Sequence, residues 1–314
     1  MKSLITGGAG FIGSHLVLGL NKTGENKIVV VDNLKNEEKN KNLIEAKIVD
    51  YIDKIDFLKL IEKRDPFCED IDFIFHQGAC TVTTEWDGRY MLENNFRYSK
   101  VLLNFCLERS IPFIYASSAA VYGINSNFAE KRKNEAPINI YGYSKWLFDQ
   151  YVRSLKNKIK SQVVGLRYFN VFGPGEAHKN NMASVVYHFD SQINEMGELK
   201  LFKGSHGYDD GEQRRDFIFV DDVIKINLWM MNNSNISGIY NVGTGKSHSF
   251  NDIANAVIKR RKTGRIKYIP FPKELEESYQ SYTEANLENL RSVGYKKEFI
   301  ALDEGVSTYL DAIY

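Results

Sequence analysis

Residues 4–13 read LITGGAGFIG, and their reading decides the fold. Leu4 and Ile5 close an apolar run, glycines follow at Gly7, Gly8, Gly10 and Gly13, and a helical pattern of Phe11, Ile12, Leu16, Val17 and Leu20 begins at once. Strand, tight turn and helix in that order form a seat for a phosphate. Glycine is needed where the backbone turns sharply, where it approaches a pyrophosphate, and where helix and strand pack closely. The helix N-terminus then turns free N–H groups and a partial positive charge toward the anion. A second apolar strand, Ile28–Val31, ends in Asp32, about 19 residues after Gly13, where an acidic residue reaches a ribose hydroxyl.

Outward from this stretch, strand and helix keep alternating. Ile48–Val49 reads as a short strand, Phe57, Leu58 and Ile61 as one face of a helix, and Ile71–Phe75 as a buried strand. A helix over Asn94–Glu108, a strand over Ile111–Ala116, a helix over Tyr141–Leu155 and a strand over Val163–Tyr168 follow, with Lys35–Asn42 a polar loop. Helices between strands predict an α/β fold: a doubly wound parallel (Rossmann) sheet with right-handed crossovers. Such sheets take ligands outside the carboxyl ends of their strands. Beyond residue 170 the pattern loosens into a glycine-rich loop (Gly173–Asn181), a helix (Ala183–Asn194), a short strand (Leu199–Phe202), an acidic loop and the run RDFIFVDD, in which an Asp caps a helix beginning near Val223. We expect a dinucleotide-binding domain over 1–170, to which 217–242 returns, and a smaller C-terminal α/β substrate-binding lobe over 171–314.

The bulk numbers exclude several classes. The chain has 314 residues, 43% hydrophobic and 26% charged, which is ordinary for a globular protein with a large core. A net charge of +1 leaves no electrostatic footprint for nucleic acid. No apolar run approaches membrane-spanning length. Met1 runs almost directly into the first strand, which leaves no room for a secretory leader. Cys68, Cys80 and Cys106 are odd in number without CxxC spacing, and the six histidines form no metal-ligand pattern. A cytoplasmic protein without a metal is expected.

Tyr141 and Lys145 stand four apart at a helix start, so they share a face. An ammonium beside a phenol favours the phenolate and makes it a usable acid or base near neutrality. With 18 tyrosines and 41 Lys plus Arg, about two such pairs arise by chance, so the weight comes from position. The helix follows a strand that ends in Ser117 and Ser118, either of which is placed to hydrogen-bond a substrate hydroxyl. A diphosphate needs cationic clamps, and Arg215, beside Arg214, offers a bidentate fork unless it is spent on Asp209, Asp210 or Glu212.

Together TGGAGFIG, SSAAVYG, YGYSK, RYFNVFGP and RDFIFVDDV resemble the extended short-chain dehydrogenase/reductase family, whose members with this pattern act on nucleotide-activated sugars. EWDGRYMLENN (Glu85–Asn95), YASSAAVYG, RYFNVFGPGEAHKNNMAS (Arg167–Ser184) and IPFPKELEESYQSYTEANLENLRSVGY (Ile269–Tyr295) are similar to its branch that epimerises ADP-heptoses at C6 for lipopolysaccharide precursors. The resemblance implies an ADP-heptose substrate, a tightly held NADP, a homo-oligomer, and an isomerase with no net redox. It implies catalytic roles for Ser118, Tyr141 and Lys145 and a second acid/base at Lys179. It implies cofactor contacts at Gly7, Gly10, Phe11, Ile12, Gly13, Asp32, Asn33, Lys39, Lys54, Gln77, Gly78, Ala79, Cys80, Thr81, Asn94, Lys145, Val171 and Lys179. Substrate contacts are implied at Asn170, Asn181, His188, Phe202, Lys203, Gly204, Ser205, Arg215 and Tyr279. Gln77 stands where the family pattern has a glutamate, and Asn181 where it has a serine. Asp32 argues for NAD, since a carboxylate repels a 2′-phosphate, whereas Lys39 and Lys54 argue for NADP. A UDP-hexose 4-epimerase, or a dinucleotide-sensing module without catalysis, are the alternatives. The first differs only in substrate; the second has no need of the Ser118, Tyr141 and Lys145 set.

Overall fold

The computed structural model describes residues 1–155, 158–273 and 279–313; part of the Ile269–Tyr295 motif, residues 274–278, lies outside them. Its centre is a seven-stranded sheet in which every neighbouring pair is parallel. The first strands are β1 (Ser3–Thr6), β2 (Ile28–Asp32), β3 (Asp50–Asp53) and β4 (Phe73–His76). They are joined by α1 (Phe11–Lys22), α2 (Lys54–Glu62), α3 (Gly88–Leu92) and α4 (Tyr98–Arg109). Then come β5 (Phe113–Ser118), α5 (Ile140–Ser154), β6 (Val163–Tyr168), β7 (Asn170–Phe172), α6 (Val185–Met196), β8 (Glu198–Phe202), β9 (Arg214–Arg215), β10 (Phe217–Phe219), α7 (Val220–Met231) and β11 (Gly238–Val242).

The sheet order is β11-β6-β5-β4-β1-β2-β3. The chain starts in the middle, winds to one edge, then crosses to the other, and the reversal lies between β1 and β4, where a doubly wound sheet binds its ligand. The central strands are largely apolar because helices cover both faces: every residue of β1, β2 and β6 is buried, the polar Ser3, Thr6, Asp32 and Arg167 included. β3, at the edge, reads Asp-Tyr-Ile-Asp and starts at Asp50 rather than Ile48, because an edge strand has one neighbour and tolerates polar residues. α7 crosses α1 at Gly19, where a methyl group would meet Ile224 Cγ2 at 2.6 Å.

The remaining elements are β12 (His248–Ser249), α8 (Phe250–Arg261), β13 (Arg265–Ile269), α9 (Glu288–Ser292) and α10 (Leu302–Ala312). In this smaller α/β lobe β8 pairs parallel with β13, while β9–β12 and β7–β10 form two short ladders. One hydrophobic cluster runs from Ile5, Leu16 and Val164 on one face of the sheet to Leu199, Val257 and Leu310 in the lobe. The other face carries a separate cluster under α2, α4 and α5. No helix of the described residues is long and apolar enough to cross a membrane.

Four sequence expectations need correction. The polar stretch at 35–42 is largely a 3-10 helix over Glu37–Leu43, started by the Asn36 side chain accepting from the Glu38 N–H. The helix expected over Asn94–Glu108 is instead α3, a π turn over Glu93–Arg97, and α4. No Asp caps α7: its N-cap is Phe219, and Asp222 falls inside the first turn, where its carboxylate accepts from the Ile300 N–H at 2.6 Å and from Lys225 at 2.8 Å. The turn expected at Asn241–Gly245 begins inside a strand, since Asn241 and Val242 belong to β11.

Candidate active site

The glycine turn between β1 and α1 is built with no space to spare. Gly7 sits at φ +69°, and a Cβ there would meet Gly78 Cα at 2.6 Å. A Cβ on Gly13 would fall 2.0 Å from the Gly7 carbonyl oxygen. No side chain caps the start of α1, which leaves N–H groups for an anion. A cleft of about 430 Å³ opens over this turn, at the carboxyl ends of β1, β2 and β4. Its walls carry Gly7, Gly10, Phe11, Ile12 and Gly13, then Asp32, Asn33, Lys39 and Lys54, then Gln77, Gly78, Ala79, Cys80, Thr81 and Asn94, with Lys179 from across the cleft. A glycine cradle that any Cβ would fill, beside an uncapped helix start, fits a dinucleotide.

At the end of β2 the Asp32 carboxylate already has partners. It accepts from the Ala9 N–H at 2.9 Å and the Asn33 N–H at 2.7 Å, and Lys39 Nζ lies 3.0 Å away. Lys54 donates to Asn94 Oδ1 at 2.5 Å. Burial lowers its pKa, and the nearby Lys35 ammonium lowers it further. Three lysines, Lys35, Lys39 and Lys54, therefore gather beside two carboxylates, Asp32 and Asp53.

The proposed chemical groups lie at the end of β5 and the start of α5. The Asn139 side chain caps α5 by accepting from the Gly142 N–H at 2.7 Å, which sets Tyr141 in the first turn. Tyr141 stands beside Ser118, and Ser118 Oγ accepts from the Ala120 N–H at 3.1 Å. Ser117 instead points backward and donates to Asp149 at 3.0 Å, so the structure separates two serines that the sequence left open. Burial pushes the Tyr141 phenol upward, and the nearby Ser118 hydroxyl only offsets part of this. The expected acidification by Lys145 is not seen: Lys145 Nζ donates to the Ala116 carbonyl at 2.8 Å. Its own pKa falls to about 8, chiefly through burial. Both groups lie within electrostatic reach of the Cys80 thiol on the cleft wall.

Lys179 comes from a 3-10 helix over Ala177–Met182 that is broken at Asn180, with φ +48°. Its ammonium lies 5.5 Å from the centre of the Phe11 ring. Burial lowers its pKa, and the Glu176 carboxylate counters this. Glu176 is fully buried and accepts from the Ser184 N–H and hydroxyl, each at 2.6 Å.

A second group of residues gathers in the lobe. Arg215 is 8% exposed; its guanidinium stacks on Tyr279 at 4.9 Å and lies 5.7 Å from the Phe250 ring. Among the described residues neither Arg215 nor Arg214 has a carboxylate partner; Arg214 donates to Ser247. Phe202, Phe271 and Tyr279 pack in sequence. The acidic loop folds over Lys203, Gly204 and Ser205: Asp210 accepts from the Gly204 N–H at 2.7 Å and Gln213 donates to Ser205 at 3.0 Å. Asn170 and Val171 lie on β7, beside β10. His188 lies on α6 against Tyr187, and Asn181 is exposed beside Lys179. Among the described residues, nothing in the packing joins these last two to the Arg215 group.

Sequence reasoning missed several residues. Asn95, in the π turn, clamps the backbone of Cys80 from both sides, accepting from its N–H at 2.7 Å and donating to its carbonyl at 2.9 Å. Asn95 also donates to Ser144 at 3.0 Å. A buried ionic network of Glu135, Asp149, Arg153 and Arg167 lies behind the serines. An Asn-Asn pair inside an apolar helix pattern was the available signal for the first. For the second there was none, since its members come from three stretches: Glu135 before α5, Asp149 and Arg153 on α5, and Arg167 on β6.

Comparison with known proteins agrees with this geometry. The chain is 54% identical over 310 residues to the ADP-L-glycero-D-manno-heptose-6-epimerase of Alkalilimnicola ehrlichii, covering 99% of this chain and 97% of the relative. Its fold is similar to the crystal structure of Helicobacter pylori ADP-L-glycero-D-manno-heptose-6-epimerase, with a TM-score of 0.83, 33% identity, and coverage of 99% of this chain and 95% of that one. It is also similar to a UDP-N-acetylglucosamine 4-epimerase from Methanobrevibacter ruminantium M1, solved with UDP-N-acetylmuramic acid, with a TM-score of 0.85, 27% identity, and coverage of 99% and 97%. A family model described as the NAD dependent epimerase/dehydratase family matches residues 3–243, from β1 through β11. This chain belongs to the NAD dependent epimerase/dehydratase family.

Proposed function

We propose that this chain interconverts ADP-D-glycero-D-manno-heptose and ADP-L-glycero-D-manno-heptose by transient oxidation at C6, supplying a lipopolysaccharide core precursor. The observation that carries this reading is 54% identity across 99% of the chain to a protein of that activity. The bound nicotinamide would take a hydride from C6 and give it back to the other face of the resulting ketone. The chain's own groups then have two proton tasks on opposite sides of one carbon. Tyr141, beside Ser118, takes or gives the hydroxyl proton on one side. Lys179, whose burial lowers its pKa, does so on the other. Lys145 holds the cofactor ribose and, once it leaves the Ala116 carbonyl, favours the phenolate. Arg215, buried without a carboxylate, meets the diphosphate of the substrate.

The cofactor reading favours NADP. Lys39 offsets the Asp32 charge, and Lys35, Lys39 and Lys54 outnumber the Asp32 and Asp53 carboxylates, which leaves a net positive field for a 2′-phosphate. We also assign 1–170 with 217–242 to cofactor binding and 171–314 to the substrate, with a homo-oligomer as the working form. The test adds ADP-D-glycero-D-manno-heptose and follows the C6 configuration by NMR, with UDP-glucose as the competing substrate. Tyr141→Phe and Lys179→Met should each lower turnover by about two to four orders of magnitude while cofactor stays bound. Near-normal turnover in either variant removes that residue from catalysis.

A further inference from the structure

The loop that carries Lys179 is tied to the cofactor-binding turn through the Asn42 side chain. Its Nδ2 donates to the Ala9 carbonyl at 3.1 Å and to the Gly175 carbonyl at 3.1 Å, and lies 3.4 Å from His178 Nδ1. Two neighbours repeat the pattern: Asn36 donates to the His178 carbonyl at 3.2 Å, and His15 Nε2 lies 2.8 Å from the Pro174 carbonyl. Ala9, which accepts from Asn42 through its carbonyl, donates through its own N–H to Asp32, which is paired with Lys39. A continuous path thus runs from the Lys39–Asp32 pair, through Ala9 and Asn42, to Gly175 and the segment bearing Lys179. The 3-10 helix over Glu37–Leu43 fully buries no residue; Leu43 packs against the core only in part, and the Asn36 and Asn42 hydrogen bonds tie the segment to the 174–178 loop.

We propose that Asn42 is a positioning residue for Lys179, fixing the second acid/base against the cofactor turn while leaving Tyr141 untouched. Tyr141 is set by a separate device, the Asn139 cap and the α5 helix, with no hydrogen bond to this path. Removing the Asn42 amide releases one side of the reaction only. Displacement of a reacting group by about an ångström costs on the order of 100-fold in rate. The proposal rests on the epimerase reading, in which the two C6 epimers present their hydroxyl protons to different groups.

The test compares Asn42→Ala with the unaltered holoprotein, Tyr141→Phe and Lys179→Met. Each is given either epimer of the ADP-heptose in a single turnover. The mixture is quenched with borodeuteride, and deuterium at C6 reports the 6-ketone. Asn42→Ala should slow ketone formation at least about tenfold from the epimer that Lys179→Met slows, and less than about twofold from the one that Tyr141→Phe slows. Equal slowing from both epimers, or from neither, overturns the proposal. Asn42→Asp, which keeps the shape and loses the donors, should behave as Asn42→Ala. A second readout needs no substrate: backbone hydrogen exchange should speed up within residues 174–182 of Asn42→Ala and stay unchanged in α5. Unchanged exchange in 174–182 overturns the proposal by itself. Failure of the unaltered protein to interconvert the epimers sinks the epimerase reading instead, and the exchange result still decides what Asn42 holds.

Discussion

Arg167 on β6 donates from Nε and Nη2 to one oxygen of Asp149 on α5, at 2.9 and 2.8 Å, with both side chains fully buried. Nη2 also reaches Glu135 at 2.6 Å, while Tyr115 and Ser117 complete the Asp149 carboxylate. The network ties the end of β5, next to Ser118, to the helix that carries Tyr141 and Lys145. Breaking a buried pair strands a charge without a partner. Arg167→Met should therefore cost about 3–5 kcal/mol in urea unfolding. A loss under about 1 kcal/mol would mean that water or a rearranged lysine takes over the carboxylates.

The same network predicts a pH dependence. Burial pushes the Glu135 carboxyl upward, yet hydrogen bonds and charge from Arg153 and Arg167 hold it below its ordinary value. A depressed carboxyl contributes stability that is full above its unfolded pKa, about 4.3, and lost as pH falls toward the folded value. The share of the melting temperature that Glu135 and Arg153 supply, read as the difference between the unaltered protein and Arg153→Met, should be constant from neutrality down to about pH 5 and fall below that. Arg153→Met should make the acid loss shallower. An acid limb identical in the variant would show that Glu135 does not contribute to it.

Lys39 and Asp32 set the choice of cofactor in opposite directions. Charge-assisted hydrogen bonds contribute about 1.5–3 kcal/mol, so Lys39→Ala should weaken NADP by about 10- to 150-fold. NAD should be nearly unaffected or bind more tightly, since Asp32 is then free for a ribose hydroxyl. Titration calorimetry with both nucleotides measures this. Parallel weakening of the two would place Lys39 away from the 2′-phosphate.

Gly13→Ala puts a methyl carbon against the Gly7 carbonyl oxygen, 2.0 Å from the built Cβ position. The turn must open, with a cost of about 1–3 kcal/mol or more and loss of nucleotide from the purified protein. Gly88→Ala is the control: its Cβ would meet only Ile140, at 3.5 Å, and a helical alanine should be neutral or stabilising by up to about 1 kcal/mol. Nucleotide retained by Gly13→Ala would refute the account of the turn.

The sheet was legible because its strands are apolar on both faces and each is followed by a helical period or a turn. β6 could be read to the residue, since Val163–Tyr168 is uniformly buried and starts directly after the polar Gln162. β3 was misplaced because an edge strand needs no apolar run, and the 37–43 helix was missed because nothing in EEKNKNL is buried. The α7 cap failed for a different reason: either Asp of VDD satisfies the local rule, and the tertiary partner Ile300 decides what Asp222 does. At the site, glycines, Tyr141 and Lys145 carry their meaning in local spacing. Asn42, Asp149 and Arg167 do not, because their partners lie 133, 32 and 18 residues away along the chain.

β11 joins the sheet only after about 70 residues of excursion from β6, at register Gly238 to Val164. While a ribosome is still making those residues, the six earlier strands can already be wound, but β6 offers its open side to solvent. Its sequence, VVGLRY, is apolar enough to pair with any passing strand. The interval between synthesis of Tyr168 and Val242 is therefore when the nascent chain most needs a chaperone, and a fragment ending near 170 would aggregate rather than stand as a miniature of the nucleotide-binding half.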